Sequence, residues 1–272
     1  MEKVHAFLPS RSRSDRFGGR TFATLLAAIA PVLGWSGSLE AAGYTIDWMS
    51  WAPWGINNSG GPPVTSPQNL FLNGVGNVNV TFTQPAPALS AYRFQSPTFL
   101  SGSVSSGGDT YSWTNHEGLA RTNFDAGGSS RSWSVTFTFS NMVAADHLVL
   151  GVFGLGRLDL AYPNSITKAS VAQNGKFLGD WGVGGNLGPT DFSSSPGNFS
   201  LQNLLPGDTT PGNPAFNTAL GVVLIQDQVT SLTVNIDQIG QDGIGLNIGY
   251  IPAPGAAALL ACGGVLMTRR RR

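Results

Sequence analysis

From Gly43 to Gly249 the hydrophobic positions of the chain recur with a period of two. Trp133, Val135, Phe137 and Phe139 fall on one side of an extended segment, and Ser132, Ser134, Thr136, Thr138 and Ser140 fall on the other. That is the pattern of a strand with one face in a core and one in water. Val78, Val80 and Phe82 alternate in the same way with Asn77, Asn79, Thr81 and Thr83, and Leu232, Val234 and Ile236 with Ser231, Thr233 and Asn235. Two runs, His147 to Phe153 and Leu220 to Ile225, are apolar almost throughout and predict central strands covered on both faces. Gly243 to Gly249 predicts a terminal strand. Tyr44 to Trp48, Gln68 to Leu72, Ile166 to Ala172, Lys176 to Trp181 and Phe199 to Leu204 supply further candidates. No stretch holds an i, i+3, i+4, i+7 stripe beyond a turn or two, so helices are not expected in this region.

Short strands separated by Gly, Pro, Asn and Ser turns predict an all-β domain. The arrangement expected is a two-sheet antiparallel sandwich of jelly-roll type, with a closed barrel as the alternative. Asn174-Gly175 stands between two strand candidates and predicts a tight hairpin, because both residues tolerate positive φ. Gly, Ser and Pro accumulate over 57–67, 102–128 and 182–198, which read as long loops. No fixed-period repeat points to a solenoid or propeller. Regular ten-residue segments and aromatic girdles, which an outer-membrane barrel would show, are also lacking.

Composition changes the picture at the two ends. The 272 residues include 15 basic and 15 acidic side chains, too few charges for a nucleic-acid binder with a basic surface or for a coiled coil. Their placement is uneven. Residues 1–42 hold five basic and three acidic groups, residues 43–254 hold six and twelve, and the tail ends in four arginines. The central domain therefore carries a net charge of −6, which gives it no general attraction to nucleic acid or anionic lipid.

Lys3, Arg11, Arg13, Arg16 and Arg20 precede an uncharged stretch from Thr21 to Leu39, the layout of a secretory signal peptide. Pro31, Gly34 and Ser36 interrupt the apolar run before it is long enough to span a bilayer. Cleavage after Ala42 and cleavage at the small-residue site Ser36-Gly37-Ser38 both remain open. The expected organisation is a signal peptide over 1–42, a β-sandwich over 43–250 and a C-terminal signal over 251–272. In that last segment Ile251-Pro252-Ala253-Pro254 leads into fourteen small or apolar residues, Gly255 to Thr268, and then Arg269, Arg270, Arg271 and Arg272. As a helix the fourteen would rise about 21 Å, a marginal anchor, and the arginines would stay on the cytoplasmic side.

A Pro-x-Pro triplet, a short Ala/Leu/Gly hydrophobic helix and a terminal arginine cluster resemble the sorting signal of the PEP-CTERM proteins. The resemblance covers about the last 22 residues, with Pro252 and Pro254 as the two prolines. Ala253 replaces the usual glutamate, as in the IPAPG-type variant. It implies bacterial export, transient anchoring in the inner membrane by the C-terminal helix, and processing by an exosortase-type membrane enzyme. The destination would be the cell envelope, surface or extracellular matrix. A sorting class of this kind implies no particular activity.

Candidate chemistry inside the domain is sparse. The one cysteine, Cys262, lies in the tail, so no disulfide or thiolate metal site is available to the sandwich. His116 and His147 are its two histidines, and no metal-binding His spacing, nucleophile elbow or phosphate loop appears. Glu117, the domain's single glutamate, sits near Tyr111 and Trp113. That neighbourhood would suit a glycoside hydrolase, provided a second carboxylate faced Glu117 across a cleft. Trp51, Trp54 and Trp113 are candidate sugar-stacking residues, since indole combines a large apolar face with a polar edge. Asp237 and Asp242, in what reads as a Gly-containing connection, are candidate Ca²⁺ ligands; no other cofactor is expected. The function expected is that of an exported structural or adhesive protein rather than an enzyme, with extracellular polysaccharide as a partner. A lectin-like carbohydrate-binding module is the alternative, and a glycoside hydrolase ranks behind both.

Overall fold

A computed structural model describes residues 42–52, 66–83, 91–123, 130–156, 166–185, 187–203, 217–239 and 242–253. The signal segment up to residue 41, Trp54, Pro254 and the tail with Arg269, Arg270, Arg271 and Arg272 lie outside the described residues, as does most of the expected 57–67 loop.

The described residues form an all-β sandwich. Sheet I has seven antiparallel strands, in spatial order Asp191–Ser195, Asn198–Gln202, Ile166–Val171, Val229–Ile239, Ser130–Val143, Gly76–Phe82 and Gln68–Leu72. Sheet II runs Gly175–Trp181, Leu220–Ile225, Leu148–Phe153, Asp242–Tyr250, Gly118–Asn123 and Ala91–Phe94. Asp47–Trp48 also pairs with Asp242–Tyr250. The alternating segments place their apolar sets where the pattern predicts. Trp133, Val135, Phe137 and Phe139 of sheet I are buried against Leu148, Leu150, Val152, Leu246 and Ile248 of sheet II.

Sheet II is covered on its second face as well. A three-stranded sheet III, Gly43–Thr45, Asp109–Trp113 and Gly102–Ser106, packs Val104, Tyr111 and Trp113 against Val149, Val222 and Leu224. This second layer explains the two unbroken apolar runs. Every residue of Leu148–Phe153 and of Leu220–Ile225 is buried, since both faces of their sheet meet other layers. Among the described residues the helix is confined to one turn, Pro97–Leu100, with Ser96 capping its start.

Three expectations need correction. The 102–128 region is not one loop: it holds Gly102–Ser106, Asp109–Trp113 and Gly118–Asn123. The 182–198 region likewise holds the edge strand Asp191–Ser195. Asn174-Gly175 is not a hairpin turn, because Ile166–Val171 belongs to sheet I and Gly175–Trp181 to sheet II. Asn174 instead pins a corner. Its backbone N and its Nδ2 donate to Asp227 at 2.6 and 2.8 Å, and its Oδ1 accepts from Gly197 N at 2.8 Å. A tight hairpin lies instead at Gly107-Gly108, both at positive φ (65° and 94°), joining Ser106 to its partner Asp109.

Candidate functional site

An apolar groove lies on the face of sheet II turned away from sheet I. Alternation along its strands sends Ala91, Leu119 and Ile244 into the sandwich core and leaves Tyr92, Phe94, Ala120, Gly243 and Gly245 on the opposite face. Phe153 closes one wall, its ring 5.2 Å from Phe94 and 5.3 Å from Phe99 between centroids. A Cβ at Gly245 would stand 1.9 Å from Phe153 Cζ, so this strand position has to be glycine for the ring to lie on the sheet. The groove so formed encloses about 260 Å³.

Its remaining wall comes from the short parallel pair Leu187–Gly188 and Asn217–Thr218. Thr218 is fully buried, and its Oγ1 accepts from Leu155 N at 3.0 Å, so its hydroxyl hydrogen has no role in that bond. Asn217 Oδ1 is buried without a hydrogen-bond partner. Arg121 reaches the groove's edge, but its guanidinium turns into the sandwich, 4.4 Å from the centroid of the Trp133 ring, with Nη1 donating to Thr83 O at 3.4 Å. Burial, reinforced by Arg131, lowers the Arg121 pKa to about 10, which keeps it charged at neutral pH.

Next to this groove the sequence candidates form a separate, closed network. Glu117 is buried; its Oε1 accepts from Ser50 Oγ at 2.9 Å and from Trp51 N, and its Oε2 pairs with Arg93, whose Nε lies at 2.6 Å. Asn247, also buried, receives Trp51 Nε1 on its Oδ1 at 3.1 Å and donates from Nδ2 to Met49 O and Glu117 O. These bonds fasten the segment after Asp47–Trp48 to sheet II. Both oxygens of the carboxylate are thereby engaged in holding backbone and Arg93.

Trp51 and Trp113 are corrected from sugar platforms to core residues. They are 0 % and 2 % exposed, and Trp113 Nε1 donates to Phe99 O at 2.9 Å. Neither presents an indole face to solvent. Trp54 lies outside the described residues. His116 is enclosed by Trp48, Phe99 and Phe153, and burial lowers its pKa to about 3, so the ring is neutral.

Asp237 and Asp242 do not share a loop. Asp237 lies within Val229–Ile239, opposite Lys168 and Ser132, and accepts from Ser132 Oγ at 2.6 Å. Asp242 opens the following strand, in sheet II. Among the described residues no three His, Cys, Asp or Glu side chains converge as a metal site would require.

The Pro-x-Pro segment begins where the domain's ladder ends. Ile251 is buried; its N–H donates to His147 O at 2.8 Å and its carbonyl accepts from His147 Nδ1 at 2.7 Å. Pro252 and Ala253, immediately after it, are exposed and outside any strand. Among the described residues no helix is long and apolar enough to cross a membrane.

The groove escaped the sequence reading because Phe153 lies far along the chain from Tyr92, Phe94 and Phe99, and only strand pairing brings it to them. The available signal was the alternation of Gly243 and Gly245 with Ile244 and Leu246, which marks a strand face stripped of side chains to receive a ring. No protein-family model, curated protein or solved structure matches this chain.

Proposed function

We propose that the chain is an exported β-sandwich protein, sorted to the cell envelope, surface or extracellular matrix by its PEP-CTERM-like tail, with a structural or adhesive role there. An exosortase-type membrane enzyme is the processing partner, acting while the C-terminal helix holds the protein transiently in the inner membrane. The observation that carries this reading is the junction at Ile251. A sorting signal must be reachable by a membrane enzyme while its domain stays folded. Here Ile251, the last buried residue among those described, is clamped through both backbone atoms by His147, and Pro252 and Ala253 stand exposed directly after it.

The non-catalytic reading is supported by the engagement of both Glu117 oxygens, and the domain's −6 charge argues against nucleic acid as a partner. Strand order supports a jelly roll. Let Gly118–Asn123, Ser130–Val143, Leu148–Phe153, Ile166–Val171, Asn198–Gln202, Leu220–Ile225, Val229–Ile239 and Asp242–Tyr250 be strands one to eight. Sheet II then reads one-eight-three-six and sheet I two-seven-four-five, the order of two interleaved Greek keys.

Fractionation of the native host expressing either the full chain or a form ending at Ile251 tests the sorting. The full chain should be shortened and recovered at the surface or in the matrix, and the truncated form should bypass both steps. Identical mass and location for the two forms would remove the tail from the account.

A further inference from the structure

We propose that the edge strand Gln68–Leu72 of sheet I is a self-association surface, on which the same strand of a second copy pairs antiparallel about a two-fold axis. The strand orders of sheets I and II end at Asp191–Ser195, Gln68–Leu72, Gly175–Trp181 and Ala91–Phe94. An open edge invites pairing with another chain, and proteins block it with charge, proline, bulges or a cover. Three of these edges are blocked. Asp191–Ser195 carries Asp191 and runs into Pro196. Gly175–Trp181 carries Lys176 and Asp180, is bulged between Phe177 and Gly179, and is met by Ser106, whose Oγ donates to Phe177 O at 3.4 Å. Ala91–Phe94 carries Arg93, paired with Glu117. Gln68–Leu72 has no charge, no proline and no bulge. Among the described residues, two of the three large apolar side chains left exposed, Phe71 at 63 % and Met142 at 62 %, lie within three strands of this edge.

The open side of this strand has its hydrogen-bonding groups in place. Thr83 N–H donates to Ser134 O at 3.0 Å and Phe82 N–H to Ser66 Oγ at 3.0 Å, so successive residues here turn alternately toward Ser130–Val143 and toward the edge. The even-numbered residues of Gly76–Phe82 therefore bond to their register partners Gln68, Leu70 and Leu72, and Leu72 O also accepts from Val75 N at 3.0 Å. That alternation leaves the N–H and C=O of Asn69 and Phe71 pointing away from the sheet, where no described strand pairs with them. A two-fold axis through Leu70 sets Asn69 of each copy opposite Phe71 of the other, as hydrogen-bonded pairs that satisfy every one of these groups in both copies. On the core side Leu70 then meets Leu70 and Gln68 meets Leu72, so the two cores continue across the junction. On the outer face the two Phe71 rings lie on a diagonal, within reach of each other. A charged strand would repel its own copy; this uncharged one matches itself in backbone polarity and in side chains, which selects a second copy as the occupant.

Analytical ultracentrifugation of the full chain from about 1 to about 100 μM, with amide hydrogen exchange on the same samples, tests this. Mass should rise from monomer to dimer with concentration, and exchange at the Asn69 and Phe71 amides should slow in step. Phe71→Lys brings like charges together at the junction, and Asn69→Pro deletes an outward donor without touching the bonds to Gly76–Phe82. Each should weaken dimerisation by about tenfold or more. Val183→Lys, at a side chain 54 % exposed just after Gly175–Trp181, should leave it unchanged. Should Asn69→Pro fail to fold, Phe71→Lys, altered only on the solvent face, carries the test. The proposal is overturned if the full chain stays monomeric at about 100 μM, if both edge variants associate as it does, or if the two amides exchange at a rate independent of concentration. Association through any other surface survives both variants and so counts against the edge. Tail-dependent location is read separately, so a monomer here leaves the sorting result standing.

Discussion

His116 sits with its ring centroid 4.8 Å from Trp48 and 5.7 Å from Phe153, and its Nε2 has no partner. Burial in this aromatic cage holds its folded pKa near 3, against 6.5 for an ordinary histidine. The unfolded chain therefore takes up a proton below about pH 6.5 that the folded chain refuses until near pH 3. Stability from this residue is complete above that upper limit and is lost as the pH falls, by about 1 kcal/mol per unit. Asp227, held below the usual carboxylate range by hydrogen bonds from Asn174, adds its own loss only under about pH 3.8. Asp180, raised by burial, acts in the opposite sense just above that value. Between pH 6.5 and 5 the histidine should dominate. His116→Phe forfeits no hydrogen bond at Nε2 and keeps the ring contacts, so its urea midpoint should be nearly flat across that window while the parent's falls. Parallel curves for the two proteins would refute the assignment. At Glu117 the sign is simpler. Glu117→Ala leaves Arg93 without its carboxylate and Trp51 N without an acceptor, and should cost about 3 kcal/mol in the same measurement.

Two glycines illustrate what can and cannot be read from local sequence at the scale of the element. Gly107 has φ +65° and open space beyond, with Lys176 Nζ 3.6 Å from where a Cβ would stand. Gly175 is not at positive φ, but a Cβ there would meet Phe199 Cδ1 at 2.5 Å and a Val223 methyl at 2.9 Å. Alanine should destabilise both, by about 1 kcal/mol at Gly107 for the left-handed backbone and about 1–3 kcal/mol at Gly175 for overpacking. Asparagine tells the causes apart. It tolerates the left-handed region, so Gly107→Asn should recover most of the loss, whereas Gly175→Asn should be worse than alanine. The same contrast explains why Asn174-Gly175 misleads: the glycine is demanded by a ring from a distant strand, and sequence neighbours carry no trace of it. Strands whose buried residues alternate in long apolar series, such as Trp133 to Phe139, were legible because one face of each meets a single core. Sheet III was not, because Gly102–Ser106 brings one large apolar residue, Val104, among serines and glycine. The candidate site was legible only as an unexplained row of glycines in Asp242–Tyr250. Its rings reach it from Ala91–Phe94, Leu148–Phe153 and the turn at Pro97–Leu100, and only the strand register brings these together.

For the whole molecule, equal numbers of basic and acidic residues conceal a division into a basic N-terminal segment, an acidic domain and a four-arginine tail. Division of labour along the chain has a mechanical counterpart at the domain's end. Tyr250 covers Gly74, stacks on His147 at 5.7 Å and packs against the sandwich core, and Ile251 is 3 % exposed in the second core. Pro252 and Ala253 add no buried surface. Any cut beyond Ala253 should therefore release a domain as stable as the one in the full chain, whereas a chain ending at Gly249 loses two large packed side chains and both His147 clamps. The expected loss is about 3 kcal/mol or more, which for a domain of this size lowers the melting temperature by roughly 6–12 °C. Melting curves for the full chain and for chains ending at Ala253, Ile251 and Gly249 should place the first three together and the last well below. A step between Ala253 and Ile251 instead would mean that Pro252 and Ala253 hold the fold, although both are exposed and neither lies in a strand.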